Sequence, residues 1–113
     1  MDWQEIYTKH KDTELMKEFI DYWYGYFVKH GVSPLAFLMC DIKDIWGYLI
    51  CFAETKKEYI QLEWDYLEDE NKWLGTIIKN HPAENDEFEK IQMFNTAEQA
   101  MLWCADKFFE VAK

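Results

Sequence analysis

At its centre the chain reads Tyr59-Ile60-Gln61-Leu62-Glu63-Trp64-Asp65-Tyr66. Successive side chains of a β-strand point to opposite faces of the sheet. The two faces of this segment are therefore Ile60, Leu62, Trp64 and Tyr66 on one side, and Gln61, Glu63 and Asp65 on the other. This strict alternation predicts a strand with one buried and one exposed face, which is typical of antiparallel sheets.

Three further segments predict neighbouring strands. Residues 45–53 are rich in β-branched and aromatic side chains, and residues 72–79 and 88–94 follow the central strand. Short polar segments separate the four, the most acidic being Glu68-Asp69-Glu70-Asn71. Strands joined by short turns pair antiparallel, so the sequence predicts a meander of three to four strands.

Helical patterns precede this meander. Asp2 followed by Glu5 predicts a short capped helix at the N-terminus. A longer helix is predicted at 12–30, capped by Asp12 or Thr13 and ended by Gly31, because its apolar residues recur every three or four positions. Ser33-Pro34 predicts a further helix at 33–43, although the apolar run at 36–40 also fits a buried strand.

One more helix is predicted at the C-terminal end. Either Thr96 with Gln99 or Asn95 with Glu98 caps it. Its apolar face is Ala97, Met101, Cys104, Phe108 and Val111. The predicted fold class is α+β: an antiparallel sheet of three to four strands packed by N-terminal helices and one C-terminal helix.

Length and composition indicate a single folded domain spanning residues 1–113. Half of the residues are apolar and 19% are aromatic, which supplies a core and argues against disorder. The formal net charge is −10, and this charge repels phosphate backbones and anionic lipid. Direct binding to nucleic acid or membranes is therefore not expected.

Cysteine and lysine usage indicates a compartment. Cys40, Cys51 and Cys104 are odd in number and lie in apolar runs, as reduced buried thiols do. The acidic N-terminus lacks a signal-peptide pattern, and no apolar run approaches a membrane span. All twelve cations are lysine, which suits an AT-rich gene. We expect a protein of the bacterial cytoplasm, encoded by a phage or another mobile element.

No sequence motif for catalysis or cofactor binding stands out. His10, His30 and His81 lie in different segments, and the spacings typical of zinc and calcium sites do not occur. Ser33, the single serine, is explained by its capping position before Pro34. We therefore predict no catalytic residues, no metal, no cofactor and no enzymatic activity.

The placement of negative charge is the most informative functional feature. Residues 54–89 hold eleven carboxylates and four lysines, so this third of the chain carries −7 of the total −10. Carboxylates aligned along an exposed strand can resemble a phosphate backbone to a protein that binds nucleic acid, while exposed aromatic residues can anchor an interface. The predicted partner-binding residues are Glu63, Asp65, Glu68, Asp69, Glu70, Trp64 and Trp73. The same charges could instead serve only to solubilise the sheet.

In size and charge the chain resembles small acidic phage proteins of the anti-CRISPR and DNA-mimic kind. The likeness implies a non-enzymatic inhibitor that occupies the basic, nucleic-acid-binding surface of a partner protein, such as a nucleic-acid-binding enzyme. Two alternatives stay open. One is an immunity protein or antitoxin that neutralises a cognate toxin, and the other is a small ligand-binding domain or enzyme with a pocket between the sheet and the helices. The oligomeric state is left undetermined.

Overall fold

The computed structural model describes residues 1–28, 40–65, 72–78 and 89–110, and these form an α+β fold as predicted. The helices are α1 (Trp3–His10), α2 (Glu14–Val28), α3 (Ile42–Thr55) and α4 (Ala97–Phe109). The strands are β1 (Tyr59–Asp65), β2 (Lys72–Ile78) and β3 (Glu89–Phe94). None of the helices in these ranges is both long enough and apolar enough to cross a membrane.

The first two helices begin as the sequence indicates. The Asp2 carboxylate accepts a hydrogen bond from the Glu5 backbone amide at 2.9 Å, which caps α1. Thr13, rather than Asp12, caps α2, because its hydroxyl accepts a hydrogen bond from the Met16 amide at 3.2 Å. The predicted end of α2 at Gly31 lies outside the described residues.

The predicted strand at 45–53 is wrong, because these residues belong to helix α3. The Asp41 carboxylate accepts hydrogen bonds from the backbone amides of Ile42 and Asp44, and the Asp44 carboxylate accepts one from the Asp41 amide, so Asp41 and Asp44 form a capping box. The residues that α3 buries are spaced by three and four along the helix: Ile42, Ile45, Leu49, Phe52 and Ala53. Packing of this helical face overrides the β-propensity of individual residues.

The predicted helix at 33–43 and its strand alternative at 36–40 lie mainly outside the described residues. Within the described part, Cys40 and Asp41 precede α3, and Ile42 and Lys43 form its first two positions. Residues 40–43 are therefore the part of that prediction that can be compared with the structure, and the last two of them belong to the following helix.

The other three predicted strands form an antiparallel sheet in the order β1-β2-β3. Ile60 pairs with Ile77, and Trp64 pairs with Trp73. Trp73 in turn pairs with Phe94 on β3. The strand bounds agree with the predicted ones to within a residue at each end.

Helix α4 packs against one face of this sheet and links it to the N-terminal helices. Gly75 permits the approach, because a Cβ atom there would lie 3.0 Å from Cys104 Sγ and 3.3 Å from the Trp103 ring. On its other side α4 places Phe109 against Trp3, with ring centroids 6.1 Å apart, and against Phe19 at 5.6 Å.

The core confirms part of the predicted α4 face. Cys104 and Phe108 are fully buried, whereas Ala97 and Met101 are half-buried and Val111 lies outside the described residues. The helix also buries residues that the single-face pattern omits: Ala100, Ala105 and Phe109. These residues are buried because α4 lies between the sheet and the helical layer.

Candidate partner-binding site

The predicted site residues divide between the two faces of β1. Trp64 lies on the face that α4 covers further along the strand, Glu63 lies on the opposite face by register, and Asp65 is the last residue of β1. The acidic residues of the following segment, Glu68, Asp69 and Glu70, lie outside the described residues. Of the seven predicted residues, the structure thus brings Trp64 and Trp73 together and places Glu63 on the other side of the same strand.

Trp64 and Trp73 form a cross-strand pair. Their Cα atoms are direct partners between β1 and β2, and their ring centroids are 5.0 Å apart at an interplanar angle of 61°. Trp64 is 43% exposed, whereas Trp73 is half-buried. Such edge-to-face contacts stabilise an aromatic pair beyond the area that it buries. The pair therefore leaves one large indole at the protein surface in a fixed position.

The aromatic row continues past this pair. Phe94 is the β3 partner of Trp73, and its ring centroid lies 5.7 Å from that of Trp103 on α4. Both Phe94 and Trp103 are half-buried. One end of the sheet thus carries aromatic side chains from all three strands and from the helix that covers them. We call Trp64, Trp73, Phe94 and Trp103 the aromatic row.

The opposite face of the sheet combines polar and apolar side chains. Along β1 the Tyr59 hydroxyl donates a hydrogen bond to Gln61, whose amide donates to Glu63, so Glu63 is exposed but oriented. On β3 the exposed side chains of this face are apolar, with Ile91 54% and Met93 44% exposed. Sequence reasoning missed these two residues, because alternation along a strand does not say which of its faces is covered.

A partly buried ionic cluster joins the first and last helices. His10 Nε2 lies 2.8 Å from Asp106 Oδ1, and Lys9 Nζ lies 3.0 and 3.2 Å from the two Asp106 oxygens. Burial by itself would raise the pKa of Asp106, but hydrogen bonds from His10 and Lys9 and the Lys9 charge outweigh it and lower that pKa. The sequence gives no signal for this cluster, because its members lie 96 and 97 positions apart.

Asp106 also borders an open groove at the end of β3. We call this feature the β3–α4 groove, and its volume is about 440 Å³. The described residues that line it are Met1, Lys72, Met93, Phe94, Asn95, Gln99, Leu102, Trp103 and Asp106. The four contributed by α4 are spaced by three, one and three positions, so they form one face of the helix.

The described residues bear on nucleophilic and metal chemistry in three ways. The groove lining given above contains neither histidine nor cysteine. Burial raises the pKa of the Cys104 thiol to about 12, so this thiol stays protonated and is a poor nucleophile at neutral pH. Within the described ranges, His, Cys, Asp and Glu side chains do not gather into any group of three or more that could hold a metal ion.

Comparison with known proteins assigns no family. No protein-family model matches the chain, and no curated protein or solved structure is significantly similar to it. A function for this chain therefore has to be proposed from the surface features described above.

Proposed function

We propose that this chain is an acidic, non-catalytic binding protein that inhibits a partner by occupying its basic, nucleic-acid-binding surface. The observation that carries the proposal is the partly exposed Trp64–Trp73 pair, whose two residues flank the acidic segment Glu68-Asp69-Glu70-Asn71 in the sequence. Tryptophan is enriched among the residues that dominate the affinity of protein interfaces.

Charge would act mainly on the rate and the selectivity of association. With −7 of the net charge in residues 54–89, a basic surface is attracted to this part of the chain before contact. Glu63 adds an oriented carboxylate on the strand that carries Trp64. Steering by charge weakens as salt increases, while an aromatic anchor that is buried in the interface is much less sensitive to salt. The two contributions can therefore be separated by experiment.

The test compares two variants that remove the same amount of charge. One replaces Glu63, Asp65, Glu68, Asp69 and Glu70 with Gln or Asn, and the control does the same to Glu5, Asp12, Glu14, Asp21 and Glu98. Each protein is used to capture partners from a bacterial lysate at low and high salt, and retained proteins are quantified by mass spectrometry. We expect the control to retain the same nucleic-acid-binding protein as the wild type, and the first variant to lose it.

Competition and an aromatic substitution complete the test. Added double-stranded DNA should displace the retained protein, because DNA and the acidic chain would compete for one surface. Trp64→Ala should weaken capture at both salt concentrations. Equal retention by the two charge variants would contradict the proposal, as would a partner that DNA does not displace.

The identity of the partner separates this proposal from the immunity-protein alternative. A toxin that is encoded beside this chain and is inactivated by it would favour an immunity protein or antitoxin. A host nucleic-acid-binding enzyme would favour an inhibitor of the DNA-mimic kind.

A further inference from the structure

The β3–α4 groove has the size and the lining of a small-molecule site. Its volume of about 440 Å³ falls within the range of roughly 300–1,000 Å³ that is usual for ligand pockets. Such pockets are mostly apolar, and a few polar groups fix the orientation of the ligand. The apolar side chains among the described lining residues are Met1, Met93, Phe94, Leu102 and Trp103.

The aromatic part of this lining can hold a flat ring. The ring centroids of Phe94 and Trp103 are 5.7 Å apart at an interplanar angle of 49°, so the two rings contact each other and form one angled wall. Both are half-buried, and each therefore leaves part of its surface accessible. Met93 is 44% exposed, and a thioether makes favourable contacts with aromatic rings. An aromatic ligand can thus pack against aromatic and thioether surfaces together.

Three polar lining residues can donate hydrogen bonds to a ligand. Lys72 precedes Trp73 and Asn95 follows Phe94, so the pairing of Trp73 with Phe94 makes Lys72 and Asn95 neighbours at this end of the sheet. Gln99 is the third residue of α4 and is exposed. An ammonium group has three donors and a side-chain amide has two. Lys72 can therefore donate to a bound anion while it keeps the contacts that it already makes.

The carboxylate of Asp106 does not invite a cation into the groove. Its two oxygens lie 3.0 and 3.2 Å from Lys9 Nζ, and one of them lies 2.8 Å from His10 Nε2. The charge of Lys9 offsets that of Asp106, whereas Lys72 attracts an anion. The net charge of −10 repels an anion at longer range, so the apolar walls must supply most of the affinity and Lys72 the preference for an anionic ligand.

We propose that the β3–α4 groove binds a small aromatic carboxylic acid, with the ring against Phe94 and Trp103 and the carboxylate hydrogen-bonded by Lys72, Asn95 and Gln99. The ligand would lie between the sheet and the helix that covers it, at the end of the sheet that carries the aromatic row. Such a site goes beyond the proposed function, because it takes a small molecule and not a protein.

The probe is indole-3-acetate, titrated into the isotope-labelled full chain and followed by NMR. Saturable shifts are expected at the Trp103 indole N–H and at the side-chain amides of Asn95 and Gln99. Indole-3-acetamide has nearly the same shape without the charge and should bind roughly two- to fivefold more weakly, which is the range of an exposed ion pair. Tryptamine, a cation, should bind more weakly still. Acetate, which lacks the ring, should produce no saturable shift.

A lysine substitution tests the preference for the anion. Lys72→Met keeps an unbranched side chain without the ammonium group, and it should make indole-3-acetate and indole-3-acetamide bind equally. Lys17→Met is the matched control, because Lys17 is exposed on α2 and lies outside the groove lining. It removes the same charge and should leave the preference unchanged.

Gln99→Glu keeps the test valid if Lys72→Met fails to fold. The side chain is exposed, and glutamate at the third helical position after a threonine cap is favourable. The added negative charge should weaken indole-3-acetate roughly two- to fivefold and leave indole-3-acetamide unaffected. The proposal is overturned if indole-3-acetate produces no saturable shifts in the groove, if the acetamide binds equally well, or if both Lys72→Met and Gln99→Glu keep the wild-type preference.

The ligand titration and the capture of a partner are independent experiments. If the groove ignores indole-3-acetate while the acidic and Trp64 variants lose the captured partner, the proposed function holds and only the ligand site is wrong. If the groove binds the acid but those variants keep the partner, the ligand site holds and the proposed function is wrong.

Discussion

Aliphatic side chains are buried on one face of the sheet and exposed on the other. On the face that α4 covers, Ile60 is 4% exposed and Ile77 is fully buried. On the other face, Ile91 is 54% and Met93 44% exposed. Burial of an aliphatic side chain of this size stabilises a protein by about 1.5–3 kcal/mol, and the second face forgoes much of that gain. Stability is therefore concentrated on the covered face, and Ile91 and Met93 on the other face are free to vary or to bind.

The largest expected difference is in the loss of unfolding free energy when a side chain is truncated on the core side or on the exposed face. Phe109→Ala removes a fully buried ring that contacts Trp3 and Phe19, and it should lower the free energy of unfolding by about 3–5 kcal/mol. Ile91→Thr keeps a β-branched side chain at an exposed strand position and should change it by less than about 0.5 kcal/mol. Urea titrations followed by circular dichroism measure the free energy of unfolding of both variants. Similar losses for the two would show that the two faces contribute equally to stability.

The second effect concerns the ionic cluster and depends on pH. Asp106→Asn removes charged hydrogen bonds to His10 and Lys9 and should cost about 2 kcal/mol at pH 7. Because folding lowers the pKa of Asp106, its stabilisation is present above the unfolded-state pKa of about 3.9 and is lost as the pH falls through the folded-state value.

Unfolding curves of the wild type and of Asp106→Asn at several pH values check this prediction. Their difference in stability should be constant at neutral pH and should shrink below about pH 4. A difference that stays the same down to pH 2 would show that the Asp106 charge contributes nothing.

The third effect tests the close approach of α4 to the sheet. Gly75→Ala places a methyl group 3.0 Å from Cys104 Sγ and should destabilise the fold by about 1–3 kcal/mol through overpacking. Gly47→Ala is the matched control, because no described atom lies within 4 Å of a Cβ there. In the middle of α3 it should stabilise by about 0.5–1 kcal/mol. Thermal melts should thus shift in opposite directions, and a common direction would argue against the tight contact.

The smallest expected effect concerns the N-terminal cap of α3, the helix that the sequence analysis predicted as a strand. Asp41→Ala removes the cap of α3 and should cost about 1 kcal/mol. Asp12→Ala, at an exposed position where Thr13 provides the cap, should stay within about 0.5 kcal/mol. Equal stabilities of these two variants would show that the Asp41–Asp44 capping box is dispensable.

Local pattern predicted much of this fold. The period-two alternation located β1, and the cap of α4 at Thr96 was one of two positions that the sequence offered. Residues 45–53 were predicted as a strand because isoleucine and aromatic residues have high β-propensity. The signal that indicates a helix there is the Asp41–Asp44 capping box just before it. Long-range features were not predictable: nothing near His10 in the sequence indicates Asp106, and nothing near Ile91 shows which face α4 covers.

The hydrogen bond between His10 and Asp106 also has a consequence for biosynthesis. The two residues are separated by 96 positions, so a chain emerging from the ribosome makes α1 long before its partner helix exists. Until α4 appears, Trp3 lacks its Phe109 contact and stays available for non-native contacts. A short delay in synthesis after β3 would lengthen that interval, and the acidic character of the nascent chain would help to keep it from associating with its neighbours.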